Sequence, residues 1–248
     1  MSNKVALVTG AGRGIGRTIA ITLAKAGYDI IINYNSSEAR AMEVLEEVKS
    51  LGVKAMTVKC DISNELEVRQ MITDVLKQFD KVDVLVNNSA VCYNSMFMEK
   101  SVDEFKRTME VNVLGTFLVS KYIGDMMYKN KSGKIINLSS TNGINTYYPM
   151  CIDYDATKAG ILSLTHNLAV QFAPFVNVNA IAPGFIATES EVGDMDQEFI
   201  DMETEKIMVR RAGTEEDVAN LVEFLASDKA SFINNTIIRI DGGTYASN

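Results

Sequence analysis

The segment Val5-Ala6-Leu7-Val8-Thr9-Gly10-Ala11-Gly12-Arg13-Gly14-Ile15-Gly16 constrains the fold of this chain most. It is a short apolar run, then a glycine-rich turn, then an apolar-periodic stretch reaching Ala26. Strand, glycine turn and helix in that order are the context in which a dinucleotide pyrophosphate is held. Glycines permit the tight turn and let an anion approach the amide N–H groups at a helix start, where the helix dipole favours negative charge. Gly10, Gly14 and Gly16 open and close the turn with Gly12 extra, so the spacing departs from the usual G-x-G-x-x-G. Taken alone, such a turn also reads as an ordinary strand-to-helix loop.

The alternation continues along the chain. Strands are expected at Lys4–Thr9, Asp29–Tyr34, Lys54–Lys59, Val82–Asn87, Lys134–Ser139, Asn177–Ala182 and Thr236–Ile240. Helices are expected at Ile15–Ala26, Glu38–Leu51, Asn64–Phe79, within Val102–Tyr128, at Asp153–Ala173 and at Glu215–Leu225. Ser101-x-x-Glu104 and Thr214-x-x-Asp217 have the pattern of capping boxes. Continuous apolar strands separated by helices indicate a parallel sheet covered on both faces. The expected fold is α/β: one doubly wound, Rossmann-like domain over residues 1–248 with a seven-stranded parallel sheet. Ligands in such sheets bind beyond the carboxyl ends of the strands, where Gly10, Asn88, Ser140 and Pro183 fall.

A second motif lies past mid-chain. Tyr154 and Lys158 are four residues apart and follow Ser140 by fourteen residues in the tyrosine's case. On a helix both project from one face, and an ammonium beside a phenol favours the phenolate. Such a phenol can exchange a proton with an alcohol or carbonyl. A Tyr-x-x-x-Lys spacing by itself is equally an exposed pair on a helix.

The glycine turn and the Ser…Tyr-x-x-x-Lys set, with Asp61-Ile62, Asn87-Asn88-Ser89-Ala90, Val111-Asn112-Val113, a fifth strand from Ile135 to Ser140, and Pro183-Gly184 in order, resemble the short-chain dehydrogenase/reductase family over essentially the whole chain. The resemblance implies a catalytic tetrad of Asn112, Ser140, Tyr154 and Lys158. Ser140 would hold a substrate carbonyl and Tyr154 would protonate it. Lys158 would grip the nicotinamide ribose and lower the tyrosine pKa, and Asn112 would anchor a water leading to solvent. Cofactor contacts are implied for Gly10, Gly12, Arg13, Gly14, Ile15, Gly16, Tyr34, Asn35, Ser36, Asp61, Ile62, Asn88, Ala90, Tyr154, Lys158, Pro183, Gly184, Ile186 and Thr188. Asp61 and Ile62 would flank the adenine. Residues 185–211 would form a substrate flap, and a homotetramer would use the helices bearing Asn112 and Tyr154 and the last strand.

The second strand ends Asn33-Tyr34-Asn35-Ser36, without the acid that usually accepts the ribose 2′-hydroxyl of NAD; the next acid, Glu38, already belongs to a helix. Arg13 can pair with a 2′-phosphate. NADPH is therefore expected over NADH. Ala90 stands where the family commonly has glycine, placing a Cβ beside the cofactor. Arg13-Gly14-Ile15-Gly16 and the Asn-Tyr strand ending resemble the 3-oxoacyl-acyl-carrier-protein reductase subfamily, which implies a 3-oxoacyl thioester substrate.

The flap, however, carries Glu189, Glu191, Asp194, Asp196, Glu198, Asp201, Glu203 and Glu205 before Arg210-Arg211, and such a surface repels an acidic carrier. A solvated acidic helix pair is the other reading of this stretch. A free steroid, sugar or aliphatic ketone is the alternative substrate, and a non-catalytic NADP-binding sensor is a third reading.

The net charge of −8 with scattered basic residues lacks the footprint of a nucleic-acid binder. No apolar run reaches the length of a membrane span, and Met1-Ser2-Asn3-Lys4 leads straight into the first strand, so neither a membrane partner nor a signal peptide is expected. Cys60, Cys92 and Cys151 are isolated and read as core thiols in a cytoplasmic protein, with no metal site. His166, twelve residues beyond Tyr154, is rotated about 120° around the helix and faces away from the site. Tyr147-Tyr148-Pro149-Met150 reads either as a substrate-pocket lining or as an ordinary aromatic loop.

Overall fold

A computed structural model of the chain describes residues 3–145, 148–188 and 195–244. Seven strands, β1 Val5–Val8, β2 Asp29–Tyr34, β3 Ala55–Lys59, β4 Val84–Asn87, β5 Gly133–Leu138, β6 Val176–Pro183 and β7 Ile237–Ile240, form one sheet in the order β3-β2-β1-β4-β5-β6-β7. Every pairing is parallel. The strand order reverses between β1 and β4, and the crevice beyond those carboxyl ends is where such sheets take ligands.

The central strands are apolar throughout because both sheet faces are covered. In β1, Ala6 and Val8 join one core with Ile30 and Ile32, while Val5 and Leu7 join the other with Ile31. The first core is closed by α1 Gly14–Lys25, α2 Glu38–Ser50 and, later in the chain, the helix Glu215–Ala226. The second is closed by α3 Glu65–Leu76, α5 Thr116–Lys129 and α6 Ile152–Phe172. The edge strands β3 and β7 are only partly buried.

Between α3 and α5 lies α4, Val102–Met109, opened by the capping box of Ser101 and Glu104. It runs into α5 through a π-helical segment, Glu110–Gly115, and this interrupts the single helix expected there. A Cβ on Gly115 would stand 2.7 Å from Ile62, so only glycine lets the π turn pass the loop after β3. The expected helix to Phe79 stops at Leu76, and the fifth strand stops at Leu138 before Ser140.

The acidic stretch contains a helix, α7 Gln197–Glu205, capped by the Asp196 carboxylate accepting from the Phe199 amide; none of its residues is buried. Its flanks are pinned by bridges from Ile186 to Gly213 and from Ile207 to Thr244. Glu189, Glu191 and Asp194 lie outside the described residues, as do Thr146 and Tyr147. The last helix, α8 Glu215–Ala226, opens with the capping box of Thr214 and Asp217, and Arg211 makes a two-pronged ion pair with the Asp217 carboxylate at 2.6 and 3.0 Å. Among the described residues no helix is long and apolar enough to cross a membrane, and no acidic, histidine or cysteine cluster could hold a metal ion.

Candidate active site

The glycine turn is built by conformation at some positions and by closeness at others. Gly10 and Gly14 have φ of +64° and +56°, backbone that side-chain-bearing residues rarely adopt. Gly16 is enforced by packing: a Cβ would meet the Gly10 carbonyl oxygen and Asn88 Nδ2, each at 2.4 Å. Gly12 is neither, its Cβ position lying no nearer than 3.6 Å to any atom. Ile15 is half-buried against the adjoining core. The turn is tied to the end of β4, since Thr9 Oγ1 accepts from the amides of Asn88 (2.9 Å) and Ser89 (3.0 Å), and Asn88 Nδ2 donates to the Thr9 carbonyl at 2.9 Å.

At the α1 N-terminus, Arg13 occupies the capping position without a side-chain cap, and no acid stands in the first turn. The first N–H groups and the dipole are thus uncompensated, which fits an anionic group. Arg13, Asn35, Ser36 and Arg40 are exposed around this turn. The Cβ of Arg40 is 3.8 Å from the position a Gly12 Cβ would take, so a second cation starts at the same turn. Sequence reasoning missed it because Arg40 is separated from the glycines by a whole strand; only the parallel β1–β2 pairing returns it. Glu38, the first residue of α2, hydrogen-bonds Tyr34, and burial together with that carboxylate raises the tyrosine pKa.

On the other side of the switch point, α6 carries Tyr154 and Lys158 on one face. Lys158 is 2% exposed, its ammonium is 5.1 Å from the Tyr154 ring centroid, and it donates to the Leu138 carbonyl at 2.8 Å. Burial pushes the Lys158 pKa down to about 8, with negative charge on Cys92 acting in the opposite direction. Ser139 Oγ donates to the Lys158 carbonyl at 2.8 Å, locking the end of β5 to this helix. Ser140 caps a short 3-10 turn, Thr141–Gly143, its hydroxyl oxygen accepting from the Asn142 amide at 3.2 Å. Its proton therefore remains for a further acceptor.

Asn112 sits in the π turn and is fully buried. Its Oδ1 accepts from the Val91 amide at 2.8 Å, and its Nδ2 donates to the Val91 carbonyl (3.0 Å) and to Thr157 Oγ1 (3.1 Å). The side chain thus pins the loop after β4 to α6, and the Asn112 main-chain oxygen accepts from Thr116 Oγ1 at 2.7 Å.

The remaining expected contacts are dispersed around the same edge. Ala90 is exposed. The Asp61 carboxylate accepts from Arg107 (2.7 Å) and Ser63 (2.6 Å), and those bonds hold its pKa low against burial. Ile62 is buried against Gly115. Pro183 ends β6, Gly184 passes so close to Asp241 that a Cβ would stand 2.6 Å from its side chain, and Ile186 and Thr188 are buried beyond it.

Of the isolated residues, the histidine lies as expected and the cysteines do not. His166 does face away from the site, bonding Asn235. The cysteines are not all isolated core thiols: Cys92 is exposed, and its sulfur lies 2.9 Å from that of buried Cys151.

Comparison with known proteins follows the same lines. The family model described as enoyl-(acyl carrier protein) reductase matches residues 10–245. A Staphylococcus epidermidis protein named 3-oxoacyl-[acyl-carrier-protein] reductase FabG is 40% identical over 244 residues, 98% of this chain and 99% of that one. The crystal structure of a 3-oxoacyl-[acyl-carrier protein] reductase from Brucella melitensis matches with a TM-score of 0.92 at 30% identity, covering 99% of this chain and 92% of its own. Acetoin dehydrogenase YohF from Salmonella typhimurium matches with a TM-score of 0.87 at 32% identity, covering 97% and 96%. A fold and a sequence that agree over this length leave one assignment: the chain belongs to the short-chain dehydrogenase/reductase family, nicotinamide-dependent oxidoreductases acting on CH–OH and C=O groups.

Proposed function

We propose that the chain is an NADPH-dependent reductase of 3-oxoacyl thioesters. The observation that carries the reading is the gathering of Ser140, Tyr154 and Lys158 at the carboxyl edge of β5, across the switch point from an uncapped, cation-flanked α1. The substrate class is supported by the name of the 40%-identical relative. The cofactor preference is supported by Arg13 and Arg40 at the turn and by Asn35 and Ser36 directly after β2, where an NAD-binding chain usually carries an acid; Glu38 is engaged with Tyr34.

A bound nicotinamide supplies the hydride. The Ser140 hydroxyl donates to the substrate carbonyl oxygen and holds it beside Tyr154, whose phenol gives its proton to the alkoxide as it develops. Lys158, held by the Leu138 carbonyl, favours the phenolate that remains. Asn112 keeps the loop after β4 in place against α6, and a water on its main-chain oxygen returns the proton from solvent. Asp61, Ile62, Asn88, Ala90, Pro183, Gly184, Ile186 and Thr188 line the rest of the cofactor's path, and the described parts of the flap, 185–188 and 195–211, cover the substrate. Exposed Leu114 and Phe117 on the segment bearing Asn112, beside Leu164 of α6, fit the packing of a homotetramer, which a gel-filtration mass near that of one chain would contradict. Free cysteines fit a reducing cytoplasm.

The decisive experiment follows NADPH and NADH oxidation against 3-oxoacyl thioesters, free and carrier-bound, beside enoyl thioesters, diketones, steroids and sugars. Turnover of 3-oxoacyl thioesters with NADPH supports the reading; turnover confined to another class rejects it. A free small ketone is the second reading, favoured by the likeness to acetoin dehydrogenase and by the acidic face of α7. Tyr154→Phe separates enzyme from sensor: a reductase loses turnover by about 10²-fold or more, while a sensor keeps its biological effect.

A further inference from the structure

We propose that Cys92 and Cys151 form a reversible thiol–disulfide switch at the site, with Cys92 as the attacking thiol and Cys151 as the resolving one. Their sulfurs are 2.9 Å apart although the residues are 59 positions apart in the chain. The backbone already brings the two segments together. The Ser95 amide donates to the Met150 carbonyl at 3.0 Å, and the Cys151 sulfur lies 2.9 Å from Asn94 Oδ1. Lys100 donates to the Tyr93 carbonyl and pairs with Asp153 of α6 at 3.1 Å. Closing the bond shortens the sulfur separation to about 2.05 Å.

The division of labour follows from exposure. Cys92 is exposed and open to a small oxidant, whereas Cys151 is 5% exposed and reachable only by its neighbour. The hydrogen bond from Cys151 and the Lys100 ammonium favour the Cys92 thiolate, against burial, Asp153 and Asp155; the hydrogen bond to Cys92, burial and the charges of Asp155 and Asp153 raise Cys151. With a low-molecular-weight disulfide as oxidant, the Cys92 thiolate attacks one sulfur and releases one small thiolate. Cys151 then gives its proton to a departing thiolate and attacks the Cys92 sulfur, expelling the second. The protein loses two electrons and two protons, and the small disulfide becomes two thiols.

The consequence reaches the site from both ends. Cys151 is the capping residue of α6, three positions before Tyr154, and Cys92 follows Val91, which Asn112 holds. The bond clamps the Tyr148–Cys151 approach against the loop after β4. The oxidised form turns over more slowly. That last step rests on the reductase reading; the bond itself does not.

The test treats the reduced chain with oxidised glutathione, alkylates free thiols, maps the peptides by mass, and measures turnover before and after dithiothreitol. Expected are a mass loss of two hydrogens, a Cys92–Cys151 linked peptide within one chain, a severalfold fall in turnover, and recovery on reduction. Cys60, whose thiol burial pushes up to about 12, stays unreacted. Cys92→Ser and Cys151→Ser keep basal turnover and lose the response. A persistent glutathione adduct on Cys92, a link between two chains, no oxidation, or a linked peptide with unchanged turnover each overturns the inference. A wrong substrate reading leaves inactive reduced protein that still forms the bond, whereas a wrong inference here leaves active protein that does not.

Discussion

Lys158 points its ammonium over the Tyr154 ring, 5.1 Å from the centroid, while its hydrogen bond goes to the Leu138 carbonyl at the end of β5. The lysine is thus fixed by the sheet, with its ammonium over the tyrosine ring. Its burial, which pushes the pKa from 10.5 to about 8, is a cost the fold carries at neutral pH.

That cost sets a pH dependence. Between about pH 8 and 10.5 the unfolded chain holds a proton on Lys158 that the folded protein has lost, so stability rises with pH through this window. Below pH 8 both states are protonated and the cost is complete. Relative to Lys158→Met, the apo wild type should gain roughly 3 kcal/mol across the window. Urea midpoints at several pH values measure it, and a flat difference would remove the buried-charge account.

Arg13 and Arg40 flank the glycine turn, and charge-assisted bonds to a phosphate contribute about 1.5–3 kcal/mol. Arg13→Ala should weaken NADPH binding roughly tenfold or more and leave NADH binding unchanged, with Arg40→Ala adding to the loss. Titrations of both cofactors by fluorescence check this; equal losses for the two would place neither arginine at the 2′-phosphate.

The glycines of the turn are not equivalent. A Cβ at Gly16 would stand 2.4 Å from the Gly10 carbonyl oxygen, whereas one at Gly12 meets nothing within 3.6 Å. Gly16→Ala should cost about 1–3 kcal/mol, and Gly12→Ala should stay within about 0.5 kcal/mol. Thermal and denaturant unfolding of the two variants side by side decides the point.

Lys100 and Asp153 form a buried ion pair, 4% and 0% exposed, at the entry to α6. The ammonium supplies charge to Asp153 Oδ1 but no well-aligned hydrogen bond, while Thr108 donates to Oδ2 at 2.7 Å. Lys100→Met should cost about 3–5 kcal/mol by stranding the carboxylate. Adding Asp153→Asn should restore part of that, because the amide oxygen still accepts from Thr108. No recovery in the double variant would mean the lysine acts by packing alone.

The amino-acid sequence by itself determined the seven strands, most of the helices between them and the family. Apolar periodicity and glycine placement are local properties, and Ser101 and Thr214 cap their helices with neighbours three residues away. Family landmarks added roles that local pattern cannot carry. What only the tertiary structure decided are relations between distant segments. The π turn at Asn112 depends on the close passage of Gly115 over Ile62, and Arg40 reaches the glycine turn through the β1–β2 pairing. The helix α7 emerges from a stretch whose charge pattern is also that of a loop. Cys92 meets Cys151 because the loop after β4 and the start of α6 lie together. No periodicity encodes such meetings: they follow from strand order, which is a property of the whole packed chain.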